Sequence, residues 1–171
     1  MKSKLNFYWA RLLPKNWVIK CATLGGVAGK SSMPGTIGSA LGFILYALVF
    51  FNLQLFPYLF FLCVFSYFAM AICDAAESHM MQKDPSSIIL DEFIAVPFIF
   101  IGLNGNQGLA ADLNGWPVYL MGFVLFRVFD ILKPFGITKL ERVNGGLGCV
   151  LDDIVAALVS CVLLHILLLS I

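Results

Sequence analysis

Apolar residues run along this chain in long blocks separated by short polar stretches. Residues 31–73 carry no charged side chain. That length is about twice what one membrane-crossing helix needs, so it predicts a helical hairpin, with Asn52, Gln54 and Pro57 marking its turn. Gly38-x-x-x-Gly42, with Ser39 beside it, gives the first of these helices a smooth patch for close packing. A polar, acidic stretch follows over 74–92, where Asp84-Pro85-Ser86 is a turn or helix-start signal. Within it Asp74 and Glu77 read as a solvated face. Asp91 and Glu92 then open a third apolar run, 93–103, which is short for a crossing and carries a potential kink at Pro97. Residues 104–115 read as a loop. A fourth apolar segment begins at Trp116-Pro117 and ends in the cluster Arg127, Asp130 and Lys133. A fifth spans 154–171, with His165 as its one ionisable residue, read as a hydrogen-bonded packing group.

Composition turns this pattern into a class. Of 171 residues, 60% are hydrophobic and only 12% charged, and the mean hydropathy is +0.92. We expect an all-α, multi-pass helical membrane protein with about four to five apolar helices, forming a single domain over 1–171. A formal net charge of +1 gives no reason to expect a nucleic-acid partner. The five cysteines (21, 63, 73, 149 and 161) form no CxxC pair and read as small buried hydrophobes. At the N-terminus, Lys2 and Lys4 precede an apolar stretch, but Arg11 and Lys15 interrupt any signal-peptide core. An interfacial segment anchored by Trp9 and Trp17 fits better.

Charge placement predicts a topology. With five crossings and the N-terminus inside, residues 1–30, 74–92 and 133–152 face the cytoplasm. All eleven Lys and Arg residues then lie on or beside that face, as the positive-inside rule requires. Of the ten acids only Asp112 falls outside. The acidic clusters of two loops thus converge with the Gly/Ser/Thr-rich stretch before the first long helix.

The most polar part of this apolar chain, residues 127–153, holds the candidate chemistry. Ionisable groups at the edges of apolar segments are costly to place and are functional candidates by default. Arg127 and Asp130 are three apart, on one helix face, where they can neutralise each other. Asp152 and Asp153 precede an apolar run, which predicts a position near a helix N-terminus. Carboxylates beside basic groups suit a divalent cation holding a phosphate. Other chemistries lack their parts. The stretch Gly25-Gly26-Val27-Ala28-Gly29-Lys30-Ser31 imitates a nucleotide-binding P-loop, but Leu24 stands where glycine is needed, so no nucleotide is expected. Its backbone N–H groups remain able to hold a phosphate, with Thr36 and Ser39 adding hydroxyls. No cysteine has an arginine shortly after it as a thiolate phosphatase needs, and His79 and His165 lack the neighbours of a histidine nucleophile. Carboxylate-held metal remains.

Four blocks occur in the order seen in the phosphatidylglycerophosphatase A family, which the chain resembles over roughly residues 17–165. They are Pro34-Gly35-Thr36-Ile37-Gly38-Ser39, Asp84-Pro85-Ser86-Ser87-Ile88-Ile89-Leu90-Asp91-Glu92, Phe126-Arg127-Val128-Phe129-Asp130-Ile131-Leu132-Lys133-Pro134, and Asn144-Gly145-Gly146-Leu147-Gly148-Cys149-Val150-Leu151-Asp152-Asp153. The resemblance implies a bacterial inner-membrane enzyme whose active site faces the cytoplasm. It would use Mg2+ to remove the terminal phosphate of phosphatidylglycerophosphate, a membrane lipid of the cytoplasmic leaflet, and give phosphatidylglycerol. On that reading Asp91, Glu92, Asp152 and Asp153 hold the metal, and Asp84 and Asp130 are further ligands or the base. Thr36, Ser39, Arg127 and Lys133 receive the phosphate. The competing reading is a small transporter with an acidic cation site. Against it, these acids gather at one membrane edge and not at the midplane, where transporter sites lie.

Overall fold

The computed structural model describes residues 7–27, 29, 31–103, 115–134, 143 and 145–170. The loop expected at 104–115, apart from Gly115, lies outside them, as do Lys30, Asp112, Lys139, Glu141, Arg142 and Asn144. Among the described residues there are helices and no strand. Two short helices, α1 (Tyr8–Arg11) and α2 (Lys15–Ala22), lead through a 3-10 turn (Leu24–Gly26) to α3 (Pro34–Leu45). The imitation P-loop therefore follows a helix. Proline at the first position starts α3. Its end widens into a π turn (Tyr46–Phe50), closed by the Phe51 amide on the Tyr46 carbonyl at 2.9 Å. The predicted hairpin turn falls at 51–54, and α4 (Leu55–Met80) returns; Pro57 lies within its first turn, where it costs no hydrogen bond. Then come α5 (Leu90–Ile99), α6 (Trp116–Leu132) and α7 (Gly146–Leu169).

Length separates these helices. At a rise of about 1.5 Å per residue, α4 and α7 extend roughly 39 and 36 Å, enough to cross an apolar layer of about 30 Å. They are the two described helices long and apolar enough to do so, against the four to five expected. The α3 stretch, Pro34–Phe50, is shorter, and α5 has only 10 residues. The apolar run expected from 154 begins earlier, at Gly146. Many large apolar side chains face outward, among them Leu48, Phe56, Val162 and Leu169. Outward-facing apolar surface on this scale is what a lipid environment tolerates and water does not.

Glycine sets the contacts that position the polar end. A Cβ on Gly42 would lie 2.6 Å from the Phe93 carbonyl and 3.0 Å from Val96, and one on Gly38 would meet the Ile89 carbonyl at 2.9 Å. So α3 and α5 touch backbone to backbone along the Gly38–Gly42 patch, as the small-residue spacing predicts. Pro97 lies inside α5. Lacking an N–H, it cannot give the Phe93 carbonyl its usual helical bond, and that carbonyl is the one packed on Gly42. The Pro97 carbonyl itself accepts from the buried Tyr58 hydroxyl at 2.5 Å. The start of α7 crosses α4 as closely, since a Cβ on Gly146 would collide with the Met70 carbonyl.

Gly42→Val inserts atoms where neither backbone can withdraw without moving α5. We expect it to destabilise the detergent-solubilised protein by about 1–3 kcal/mol, read as a lowered thermal midpoint. An unchanged midpoint would mean that α3 and α5 do not pack this closely.

Candidate active site

The N-terminal ends of α3, α5 and α7 bring the predicted residues to the C-terminal end of α6. Asp91 and Glu92 occupy the first turn of α5, where the helix dipole favours carboxylates. Asp153 lies on α7 one turn beyond Cys149. Carboxylate oxygens of Asp91, Glu92 and Asp153 all fall within 4.8 Å of one another. Asp91 and Asp153 are buried, and one Glu92 oxygen, Oε2, is buried with no hydrogen-bond partner among the described residues. Burial pushes the Asp91 carboxyl well above the usual carboxylate range, helped by the neighbouring Cys149 and Glu92. Burial also raises Glu92, against the hydrogen bond it shares with Asp91.

Cationic groups surround this trio and pair with other acids. The Arg127 Nη1 donates to Asp130 Oδ2 at 2.5 Å and to Ser39 Oγ at 3.2 Å. Ser39 is fully buried and its hydroxyl donates to the Gly35 carbonyl at 2.8 Å. The guanidinium is thereby tied to the first turns of α3. A Cβ on Gly35 would collide with Glu92 Oε1 and lie 3.3 Å from Arg127 Nη1, so only glycine leaves room for both. Lys133 ends α6 in the left-handed conformation and its Nζ donates to Asp152 Oδ2 at 2.6 Å. Thr36 is half-buried in the first turn of α3.

Several placements differ from the sequence reading. Asp152 and Asp153 sit in the second turn of α7, not at its N-terminus, because the helix extends back to Gly146. They diverge: Asp153 joins Asp91 and Glu92, while Asp152 faces Lys133. Asp74 does not lie on a solvated face. It is 6% exposed and accepts from Arg11 Nε at 2.8 Å and Nη2 at 3.2 Å. A Cβ on Gly145 would collide with it, so the pair sits beneath the start of α7. Glu77 is half-buried and accepts the Asp84 amide at 2.8 Å. Asp84 itself is exposed, with a positive φ of 45°, and holds the α4–α5 turn near Cys149, 3.7 Å from its sulfur.

Cys149 is the residue that sequence reasoning missed. Its thiol donates to Asp91 Oδ2 at 2.9 Å, so it touches the carboxylate trio. The signal was its spacing, four residues before Asp153 and hence on the same helix face. His165 is as expected, its ring Nδ1 bonded to the Cys161 carbonyl one turn back at 2.8 Å.

Fold and site together define a helical, membrane-type protein with buried carboxylates and paired cations gathered where several helices end. The chain belongs to the phosphatidylglycerophosphatase A family, whose model matches residues 20–168. It is 35% identical over 130 residues to the Haemophilus influenzae phosphatidylglycerophosphatase A, covering 75% of each chain. With the Escherichia coli phosphatidylglycerophosphatase A it shares 34% identity over 137 residues, covering 78% of this chain and 73% of that one. A Bacteroides thetaiotaomicron protein, provisionally named a phosphatidylinositol-3-phosphatase, is 30% identical over 138 residues, 78% of this chain and 82% of its own. No solved structure matches the chain significantly.

The Arg11–Asp74 pair can be weighed by a double-mutant cycle on unfolding in detergent. Arg11 is 44% exposed, so solvent screening holds the expected coupling to about 1 kcal/mol or less. Asp74→Ala should cost more than Arg11→Ala, because it also empties space under Gly145. Zero coupling with two silent single mutants would return Asp74 to a solvated face.

Proposed function

We propose that this chain, acting as a single membrane domain over 1–171, removes the terminal phosphate of phosphatidylglycerophosphate to give phosphatidylglycerol. The observation that carries this is the trio Asp91, Glu92 and Asp153, with buried Glu92 Oε2 lacking a partner among the described residues, set beside Arg127 of α6, which is bonded to Ser39 of α3. Family membership supplies the substrate. The trio fits a divalent cation: the oxygens are hard donors close enough to share one ion, and their burial together is unfavourable without one. We assign Mg2+, held by Asp91, Glu92 and Asp153, with Asp84 and Asp152 within the same acidic end. When bound, the ion would offset phosphate charge and lower the pKa of a water.

The chain's own residues divide the remaining work. Arg127 is planar, permanently charged and aimed by Ser39, as recognition of phosphate oxygens requires. An arriving phosphate competes with Asp130 for that guanidinium. Asp130, released from its 2.5 Å bond, is then the base that takes the proton of the attacking water as the P–O bond to the glycerol oxygen breaks. That oxygen takes up the proton from Asp130, leaving phosphatidylglycerol and inorganic phosphate. Lys133, the Thr36 hydroxyl and the α3 N-terminus add positive potential at the same end. Asp84, exposed on the adjoining turn, is the second candidate base.

The proposed setting is the bacterial inner membrane, with this end at the cytoplasmic leaflet. Gln54 caps the start of α4 and Lys83 lies just past its other end. In intact cells an impermeant thiol reagent should therefore label a cysteine placed at Gln54 and spare one placed at Lys83. The reverse pattern would turn the site outward.

Phosphate release from phosphatidylglycerophosphate should stop on chelation with EDTA and return with Mg2+. Asp91→Asn and Asp153→Asn remove charge with little change of shape. Each should lower the rate roughly 10²-fold, about 3 kcal/mol of transition-state stabilisation. Because the two act on one centre, the double mutant should be little slower than either. Full activity in chelator, or wild-type rates from both variants, would refute the assignment.

A further inference from the structure

An apolar groove of about 420 Å3 runs between α3 and α6, lined by Ala40, Phe43, Trp116, Tyr119, Leu120 and Phe123. Its place along both helices ties it to the candidate site. Ala40 directly follows Ser39, and Phe123 precedes Arg127 by about one helical turn. Ser39 and Arg127 are bonded to each other at 3.2 Å, so the contact that aims the guanidinium lies within about one helical turn of the groove's residues on both helices. From Phe123 back to Trp116 the helix travels about 10 Å away from the charged cluster. Leu120 and Trp116 are exposed, which leaves the groove open along its side.

We propose that this groove seats one acyl chain of the phospholipid substrate, so that the lipid's phosphate arrives at Arg127. This rests on the phosphatase reading above. Continuity with the phosphate-binding end identifies the occupant, because a ligand anchored at Arg127 and long enough to fill the groove needs a polar phosphate joined to an apolar tail. Position distinguishes it from a second apolar groove, between α6 and α7, lined in part by Phe129, Val155 and Leu158. None of that groove's lining residues lies on α3, which carries the Ser39 hydroxyl bonded to Arg127, whereas Ala40 of the α3–α6 groove directly follows Ser39. Within a bilayer a chain gains nothing from water exclusion by moving from lipid into an apolar groove. Its contribution is orientation, fixing the headgroup against the reacting residues.

The test fills the groove with Ala40→Phe and, separately, Leu120→Trp, with Leu158→Phe filling the other groove. Two substrates are compared by kcat/KM: long-chain phosphatidylglycerophosphate in mixed micelles, and its water-soluble deacylated headgroup. Ala40→Phe and Leu120→Trp should lower the long-chain value about tenfold or more and leave the deacylated value within about twofold, since misplacement is the only loss. Leu158→Phe should leave both unchanged. Long-chain turnover that survives both fillings, an equal fall on both substrates, or a fall from Leu158→Phe alone would overturn the assignment. Wild-type protein that releases phosphate from neither substrate would overturn the phosphatase reading itself, and the groove's role with it.

Discussion

Like charges that share a buried space repel one another, and the acidic end of this protein is arranged around that cost. Asp91, Glu92 and Asp153 crowd within 4.8 Å at the polar end of an apolar bundle, while the cations nearby hold other acids. Arg11 holds Asp74, Arg127 holds Asp130 and Lys133 holds Asp152. Among the described residues no Lys or Arg forms an ion pair with the trio. Each outer pair brings its own counter-charge, and among the described residues the carboxyl groups of the trio are left facing one another between α5 and α7. A charge distribution of this kind favours a compact, highly charged cation over a side-chain partner.

Bringing those backbones together needs helices that approach more closely than large side chains permit. Inside a lipid layer apolar surface gives little drive to associate, so contact depends on close packing. Gly35, Gly38 and Gly42 provide it on α3, and Gly145 and Gly146 provide it at the start of α7. The two sets act on different partners. The first seats α5 and so places Glu92 against Arg127. The second seats α7 on α4, against the Arg11–Asp74 pair, and so sets the height at which Cys149 and Asp153 reach α5.

Much of this was legible in the sequence, and what was not has a physical reason. The uncharged stretch 31–73 predicts the hairpin because length and turn residues act locally. The Gly38–Gly42 patch and the Arg127–Asp130 pair likewise follow from spacing on one helix. Burial of Asp74 depends instead on Arg11, 63 positions away, and no local pattern reports such a partner. The early start of α7 was hidden because glycines usually mark a loop, whereas here Gly146 and Gly148 are helical residues, and the lack of a side chain at Gly146 serves the crossing with α4. Helix length was read less well than helix identity: five apolar segments were expected, and α3, α5, α6 and α7 begin at or near polar or glycine signals, but α5 stops after 10 residues.

Adjacent acids also turn out to have unlike surroundings, which sequence adjacency conceals. Consecutive residues on a helix point about 100° apart. On α7 that angle sends Asp152 toward Lys133 at the end of α6 and Asp153 toward α5. On α5 it sends Asp91 to the Cys149 thiol of α7 and Glu92 to Gly35 at the start of α3, near Arg127 of α6. The α7 doublet is therefore not a unit, whereas both carboxylates of the α5 doublet reach the cluster. That cluster exists only once α5 and α7 are packed together. A centre assembled this way couples its geometry to the helix crossings, so a substitution at a distant glycine bears on the same chemistry as one at a carboxylate.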